Sequence, residues 1–248
     1  MKTTTALRSS VGKKAVMAVT GIALMLFLVV HLGGNLTLFA CDGGRLFNAY
    51  AHHLESLGPL LVVAEAGLLA IFLFHVVSAF TVYVEKVRAR PDGYAVVDTK
   101  GGPSRKTLAS RSMIVTGVLL LLFIPLHVWM FKFNQGRGFT VMDVHGKDVK
   151  DLYLVVLYAF KEPAKAWSYA VVMFLLGFHL RHGFWSSLQS LGAMSPRLSP
   201  AIYSLGLVFA LLMAGGFLVL PLYLLYFGPD PAALRTVADA AAQAGGAL

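Results

Sequence analysis

Apolar residues fall in five long runs, at about 15–40, 59–84, 112–131, 166–191 and 200–227, and polar segments divide them. Each run is long enough to cross ~30 Å of hydrocarbon at ~1.5 Å per residue. The pattern predicts an all-α integral membrane bundle of five transmembrane helices. Three parts follow: a basic cytoplasmic head from Met1 to Lys14, a five-helix transmembrane domain over 15–227, and an alanine-rich tail over 228–248. Residues 42–58, with His52, His53 and Glu55, read as a loop, as do residues 132–165. Within the latter, Leu152 to Phe160 reads as a helix lying at the membrane interface. Pro221 should kink or interrupt the fifth helix. The first run is too long for the apolar core of a signal peptide and lacks a small-residue cleavage site after it.

Composition narrows the class further. With 57% hydrophobic and 13% charged residues and a mean hydropathy of +0.72, a water-soluble fold is excluded. Cys41, the single cysteine, leaves no disulfide framework within the chain and no set of thiolates for an iron–sulfur cluster. The formal charge of +9 comes with no nucleic-acid motif, and its use is to orient the chain among membrane lipids. Thirteen of the 21 Lys and Arg residues fall in the head, between helices two and three, and around Arg181 and Arg197. A cell-membrane protein with its N-terminus cytoplasmic and its C-terminus outside satisfies the preference of basic loops for the inside.

The strongest local signal is a repeat. Val19 to His31 reads VTGIALMLFLVVH and Val115 to His127 reads VTGVLLLLFIPLH, with 7 identities in 13 positions, and both end on a histidine within an apolar run. Ionisable groups at membrane depth are costly and mark sites by default. Counting from the basic boundary, Lys14 to His31 is 17 residues and Arg111 to His127 is 16, so both histidines lie ~25 Å from the inner face. The even-numbered helices run the other way. Pro59 to His75 is 16 residues and Lys165 to His182 is 17, which puts both ~25 Å from the outer face. Four intramembrane histidines thus form an outer pair and an inner pair. Imidazole holds haem iron, and non-haem metal sites in helices call for carboxylates, of which only Glu65 lies within a span. Two stacked haems b, each with two axial histidines, fit this arrangement.

These residues carry a resemblance. From about Lys13 to Phe227 the chain resembles the cytochrome b membrane anchor of succinate dehydrogenase and fumarate reductase, in its single-chain, five-helix, di-haem form. The resemblance runs through TG-x-x-L-x-L-F-x-x-x-H in helix one, His75 in helix two, the TG…H repeat in helix three, and H-G-x-x-x-x-x-Q from His182 to Gln189 in helix four. It implies an outer haem b on His31 and His127 and an inner haem b on His75 and His182. His179, three residues earlier on roughly the same helix face, is the alternative inner ligand, or a hydrogen-bond partner of a propionate, a quinone or a neighbouring helix. It further implies a flavoprotein subunit with FAD and an iron–sulfur subunit on the inner face, and electron exchange with a membrane quinone, menaquinone being usual for this form. Dicarboxylate chemistry belongs to the partner. The family's acidic residue near the outer haem has no recognisable local sequence here, and Glu55 and Glu65 are the quinone-site candidates.

Two other readings start from the same histidines. The haem anchor of a formate dehydrogenase or hydrogenase shares the spectrum and differs in its soluble partner, while a histidine-based transporter would lack haem. If the anchor reading holds, the iron–sulfur partner sits on the basic inner face. Cross-links from it are then expected in the Glu85 to Arg111 connection, and charge reversal at Lys86, Arg105 or Lys106 should weaken assembly. Cross-links within residues 132–165 would invert the orientation.

Overall fold

The computed structural model describes residues 9–89, 107–133, 141–144, 147–234 and 236. Lys2 and Arg8 of the head, Arg90, Lys100, Arg105 and Lys106 of the basic connection, and nearly all of the tail after Leu234 lie outside the described residues. The elements in order are α1 (Ser10–Asn35) with a 3₁₀ turn (Leu36–Phe39), α2 (Arg45–Glu55), α3 (Pro59–Ala89), α4 (Leu108–Arg111) and α5 (Met113–Val128). A π-helical turn (Trp129–Phe133), β1 (Val141–Val144), β2 (Lys147–Lys150), α6 (Leu152–Lys161), α7 (Pro163–Ser190) and α8 (Ser199–Phe227) follow. The chain is therefore overwhelmingly helical, with one addition to the expected all-α fold. β1 and β2 pair antiparallel as a short hairpin, Val141 opposite Lys150 and Val144 opposite Lys147.

Among the described residues, four helices are long and apolar enough to cross a membrane: Ser10–Phe39, Pro59–Ala89, Met113–Phe133 and Ser199–Phe227. Their outward surfaces are greasy. No residue of α3 is buried, and it exposes Val63, Phe74 and Val77 at more than 60%, as a helix bathed in lipid would. Lacking an N–H, Pro221 cannot donate to the helix ladder, yet α8 continues through it; the expected interruption is absent, as membrane helices tolerate proline where neighbours accommodate the freed carbonyl. At 28 residues, α7 is as long as the others, but Ser168, His179, Arg181, His182, Ser186 and Gln189 make it more polar.

Two compact units divide the chain. The first comprises Met1–Val29, Val63–Leu121 and Leu175–Met213, the second Val30–Val62, Leu122–Phe174 and Ala214–Leu248. In the first, an ion pair between Lys13 and Glu85 joins the start of α1 to the end of α3, and Gly206 of α8 gives room to the Phe184 ring of α7, which a Cβ there would meet at 3.0 Å.

The second unit has a polar clasp that the apolar pattern did not foresee. Residues 45–55, expected to be loop, form α2. Gly43 and Gly44 adopt φ of +71° and +89°, turning the chain so that the Asp42 carboxylate accepts from the Gly44 N–H at 3.0 Å and the Leu46 N–H at 2.7 Å. This satisfies donors that a helix start leaves open. Asn48 is 1% exposed; its side-chain amide donates to Asp151 Oδ1 at 2.8 Å and accepts from the Tyr153 N–H at 2.9 Å. Asp151 in turn caps α6, accepting from the Leu154 N–H at 3.0 Å. Residues 152–161 form the expected helix, α6, whose Leu154, Val155, Val156, Leu157 and Phe160 are buried, with α2 packed against it.

Removing Asn48 leaves the buried Tyr153 N–H without that acceptor. Asn48→Ala should lower stability by ~2 kcal/mol, the usual cost of a stranded buried polar group. Thermal unfolding of the detergent-solubilised protein checks this, and an unchanged midpoint would mean that the clasp does not hold α2.

Candidate functional site

Each unit holds one pair of facing histidines. In the second, His31 of α1 and His127 of α5 lie with ring centroids 5.9 Å apart and planes near perpendicular at 88°. Aromatic rings surround them. Phe217 of α8 is 5.7 Å from His31, Phe123 stacks on His127 at 5.6 Å, and Phe131 of the π turn meets His127 edge-on at 5.3 Å. The π turn begins two residues after His127, and such widened turns tend to occur at functional positions. Tyr169 of α7 is 9% exposed; its hydroxyl lies 3.4 Å from His127 Nδ1, and its ring packs on Phe160 and Phe123 at 5.0 and 4.8 Å. On α1, the His31 carbonyl accepts from the Asn35 side chain at 2.7 Å.

In the first unit the ring that His75 of α3 meets belongs to His179 of α7, with centroids 6.5 Å apart. His182 lies against Trp185 instead, at 4.7 Å, and Trp185 leans on Tyr203 at 5.3 Å. Buried within the chain, His182 Nδ1 has no hydrogen-bond partner among the described residues. The structure thus brings together His31 with His127 and His75 with His179, and sets His182 beside the aromatic pair one turn further along α7.

The repeated Thr-Gly dipeptides serve the histidines of other helices. Thr20 Oγ1 is 3.3 Å from His75 Nδ1, and Thr116 Oγ1 is 3.3 Å from His179 Nδ1. A Cβ on Gly21 would lie 3.3 Å from His75 Cε1, and one on Gly117 would lie 3.6 Å from His179 Cε1. Threonine stands against each ring, and Gly21 leaves His75 room that a Cβ would crowd, whereas Gly117 lies at ordinary contact distance from His179. The sequence repeat pointed only to its terminal histidines, because a contact between helices leaves no trace in the spacing along one helix. One spacing could have favoured His179: α3 and α7 both open on a proline, and His75 and His179 each lie 16 residues after it.

The two carboxylate candidates are less informative. Glu55 is exposed as the last residue of α2, and Glu65 is half-buried in α3. Among the described residues no group of three or more His, Cys, Asp or Glu gathers as a metal-ion cluster. No protein-family model, no curated protein and no solved structure matches the chain.

The glycines make opposite forecasts. Alanine gains up to ~1 kcal/mol over glycine in a helix interior, but crowding a packed group typically costs ~1–3 kcal/mol. Gly21→Ala, at 3.3 Å from His75, should therefore lose ~1 kcal/mol, while Gly117→Ala, at ordinary contact distance, should be neutral or slightly stabilising. Thermal unfolding of the two variants side by side decides the sign.

Proposed function

We propose that the chain is a five-span membrane cytochrome b carrying two haems b, one between His31 and His127 and one between His75 and His179. The observation that carries this reading is the separation of the facing rings, 5.9 and 6.5 Å. Two imidazoles sharing a metal at ~2 Å from each nitrogen put their ring centroids ~6 Å apart. A metal already held by a macrocycle would need two further ligands from the protein, which His31 with His127 and His75 with His179 would supply. On this reading α7 is the fifth span: 28 residues reach ~42 Å at helical rise, and its polar residues face cofactor and boundary.

We assign the inner pair to His75 and His179 because these rings meet and because their spacing from Pro59 and Pro163 is equal. His182 then keeps its buried Nδ1 for a hydrogen bond to a propionate of the inner haem. The haems, when bound, supply one-electron chemistry. The chain's own residues hold and shield them. Phe123, Phe131 and Tyr169 wall the outer pair in largely apolar surface, which would keep water from a group held there, and Gly21 lets α1 approach the His75 ring closely.

The order and spacing of the motifs then favour the membrane anchor of a succinate:quinone oxidoreductase. An iron–sulfur subunit and an FAD flavoprotein would dock at the basic face, dicarboxylate chemistry would take place in the flavoprotein, and electrons would pass between the iron–sulfur centres and a quinone, menaquinone by resemblance. Glu55 and Glu65 remain the chain's candidates for handling the protons of quinone chemistry.

Pyridine haemochrome analysis of the purified complex should give two haems b per chain, both low-spin, and mass spectrometry should find the flavoprotein and iron–sulfur partners. His31→Ala or His127→Ala should remove one haem and spare the other; His75→Ala or His179→Ala should do the reverse. His182→Ala should retain both. Loss of the inner haem from His182→Ala with retention in His179→Ala would reverse the assignment on α7, and haem-free protein would remove the reading altogether.

A further inference from the structure

The first unit fixes which nitrogen of each inner histidine carries the proton. A threonine hydroxyl has one hydrogen and can both donate and accept. Thr20 lies 2.8 Å from the Val16 carbonyl and 3.2 Å from the Met17 carbonyl, and Thr116 lies 3.0 Å from the Ser112 carbonyl and 3.2 Å from the Met113 carbonyl. These carbonyls only accept, and they lie nearer to the hydroxyls than the imidazole nitrogens at 3.3 Å, so the geometry favours each hydroxyl giving its hydrogen to its own helix. Toward the imidazoles, the threonine oxygens can then act only as acceptors. The shorter carbonyl contacts thus assign the proton to Nδ1 in His75 and in His179. For His75 a second contact requires the same, since Nδ1 also lies 3.2 Å from the Met17 carbonyl. In both rings Nε2 is left with a free lone pair, the form in which imidazole binds a metal.

We infer that Thr20 and Thr116 are positioning residues that lock His75 and His179 in the Nδ1–H tautomer and set how strongly their Nε2 atoms donate to the iron of an inner haem. The inference rests on the haem reading above. A metal-binding histidine that donates its other N–H to an acceptor is fixed in orientation and becomes more basic. Stronger donation favours ferric over ferrous iron, so these two hydroxyls hold the inner potential down. Their shares are unequal: if Thr20 is lost, His75 keeps the Met17 carbonyl, whereas Thr116 is the one acceptor His179 has among the described residues.

The test is a redox titration of the purified membrane complex, wild type against Thr116→Val, Thr116→Ser, Thr20→Val and Thr20→Ser, with haem content and the low-spin ferric EPR signals recorded for each. Thr116→Val should raise the inner midpoint by at least a threefold change in the reduction equilibrium, ~30 mV at ~59 mV per tenfold for one electron. Thr20→Val should shift it in the same direction by less, and both serine variants should titrate as wild type. The outer haem, whose ligands these residues do not touch, serves as the internal reference. Loss of the inner haem from Thr116→Val with retention in Thr116→Ser would also support a requirement for the hydroxyl. Loss from both would reduce Thr116 to a packing role and overturn the inference, as would two bound haems with an unchanged inner midpoint in Thr116→Val. A wild-type complex without haem would defeat the haem reading and this inference with it, an outcome the haem assay separates from the others.

Discussion

An imidazole in an apolar helix has two nitrogens to satisfy and almost nothing nearby to satisfy them with, because the backbone groups around it are spent on the helix ladder. The organisation of the histidines follows from that shortage. The first unit meets it by borrowing hydroxyls from the helix opposite, Thr20 for His75 and Thr116 for His179. Each hydroxyl can serve because it discards its own hydrogen onto a carbonyl one turn back. The second unit draws on the Tyr169 phenol for His127 and surrounds the pair with aromatic rings. Once the far side of a ring is tied to a neighbouring helix, the near side is left to face its partner, and on the haem reading the two facing rings serve as a ligand set.

The cost of leaving this arrangement incomplete is visible at His182. Its Nδ1 is enclosed without a partner, a condition that ordinarily costs ~1–3 kcal/mol and that a bound group would relieve. His179 and His182 thus occupy opposite situations three residues apart on one helix. One is clamped by threonine and faced by a second imidazole; the other is wedged beside Trp185 and unsatisfied. The haem reading gives both a use, as ligand and as hydrogen-bond donor or acceptor to the same cofactor.

Much of this was legible in the sequence, and for definite reasons. Apolar runs that must cross hydrocarbon announce their length, so the long helices and the histidines on α1, α3 and α5 could be placed from spacing alone. What escaped depended on neighbours. α2 is too mixed in polarity to stand out, and it is held by Asp42 and by a side chain, Asn48, whose partner lies 103 residues away. α6 reads as an apolar helix in the sequence, but that α2 packs against it does not show there. The pairing of His75 with His179 instead of His182 turns on one helical turn of α7, which counting from a lysine could not resolve. The threonine and glycine of the repeat were conspicuous, but their role was hidden, since the rings they hold belong to other helices.

The clasp between α2 and α6 carries a further implication for how this chain can vary. The long helices that carry His75 and His179 begin directly after it, α3 at Pro59 and α7 at Pro163, and each counts 16 residues to its imidazole. Proline suits the first turn because its missing N–H is not needed there, so the start of each count is fixed by covalent structure. An insertion of one residue anywhere within either count would rotate its histidine by ~100° and advance it by ~1.5 Å. Divergence in these stretches should therefore proceed by exchange of one apolar side chain for another at constant length, while gains and losses of residues collect in the segment between α5 and α6.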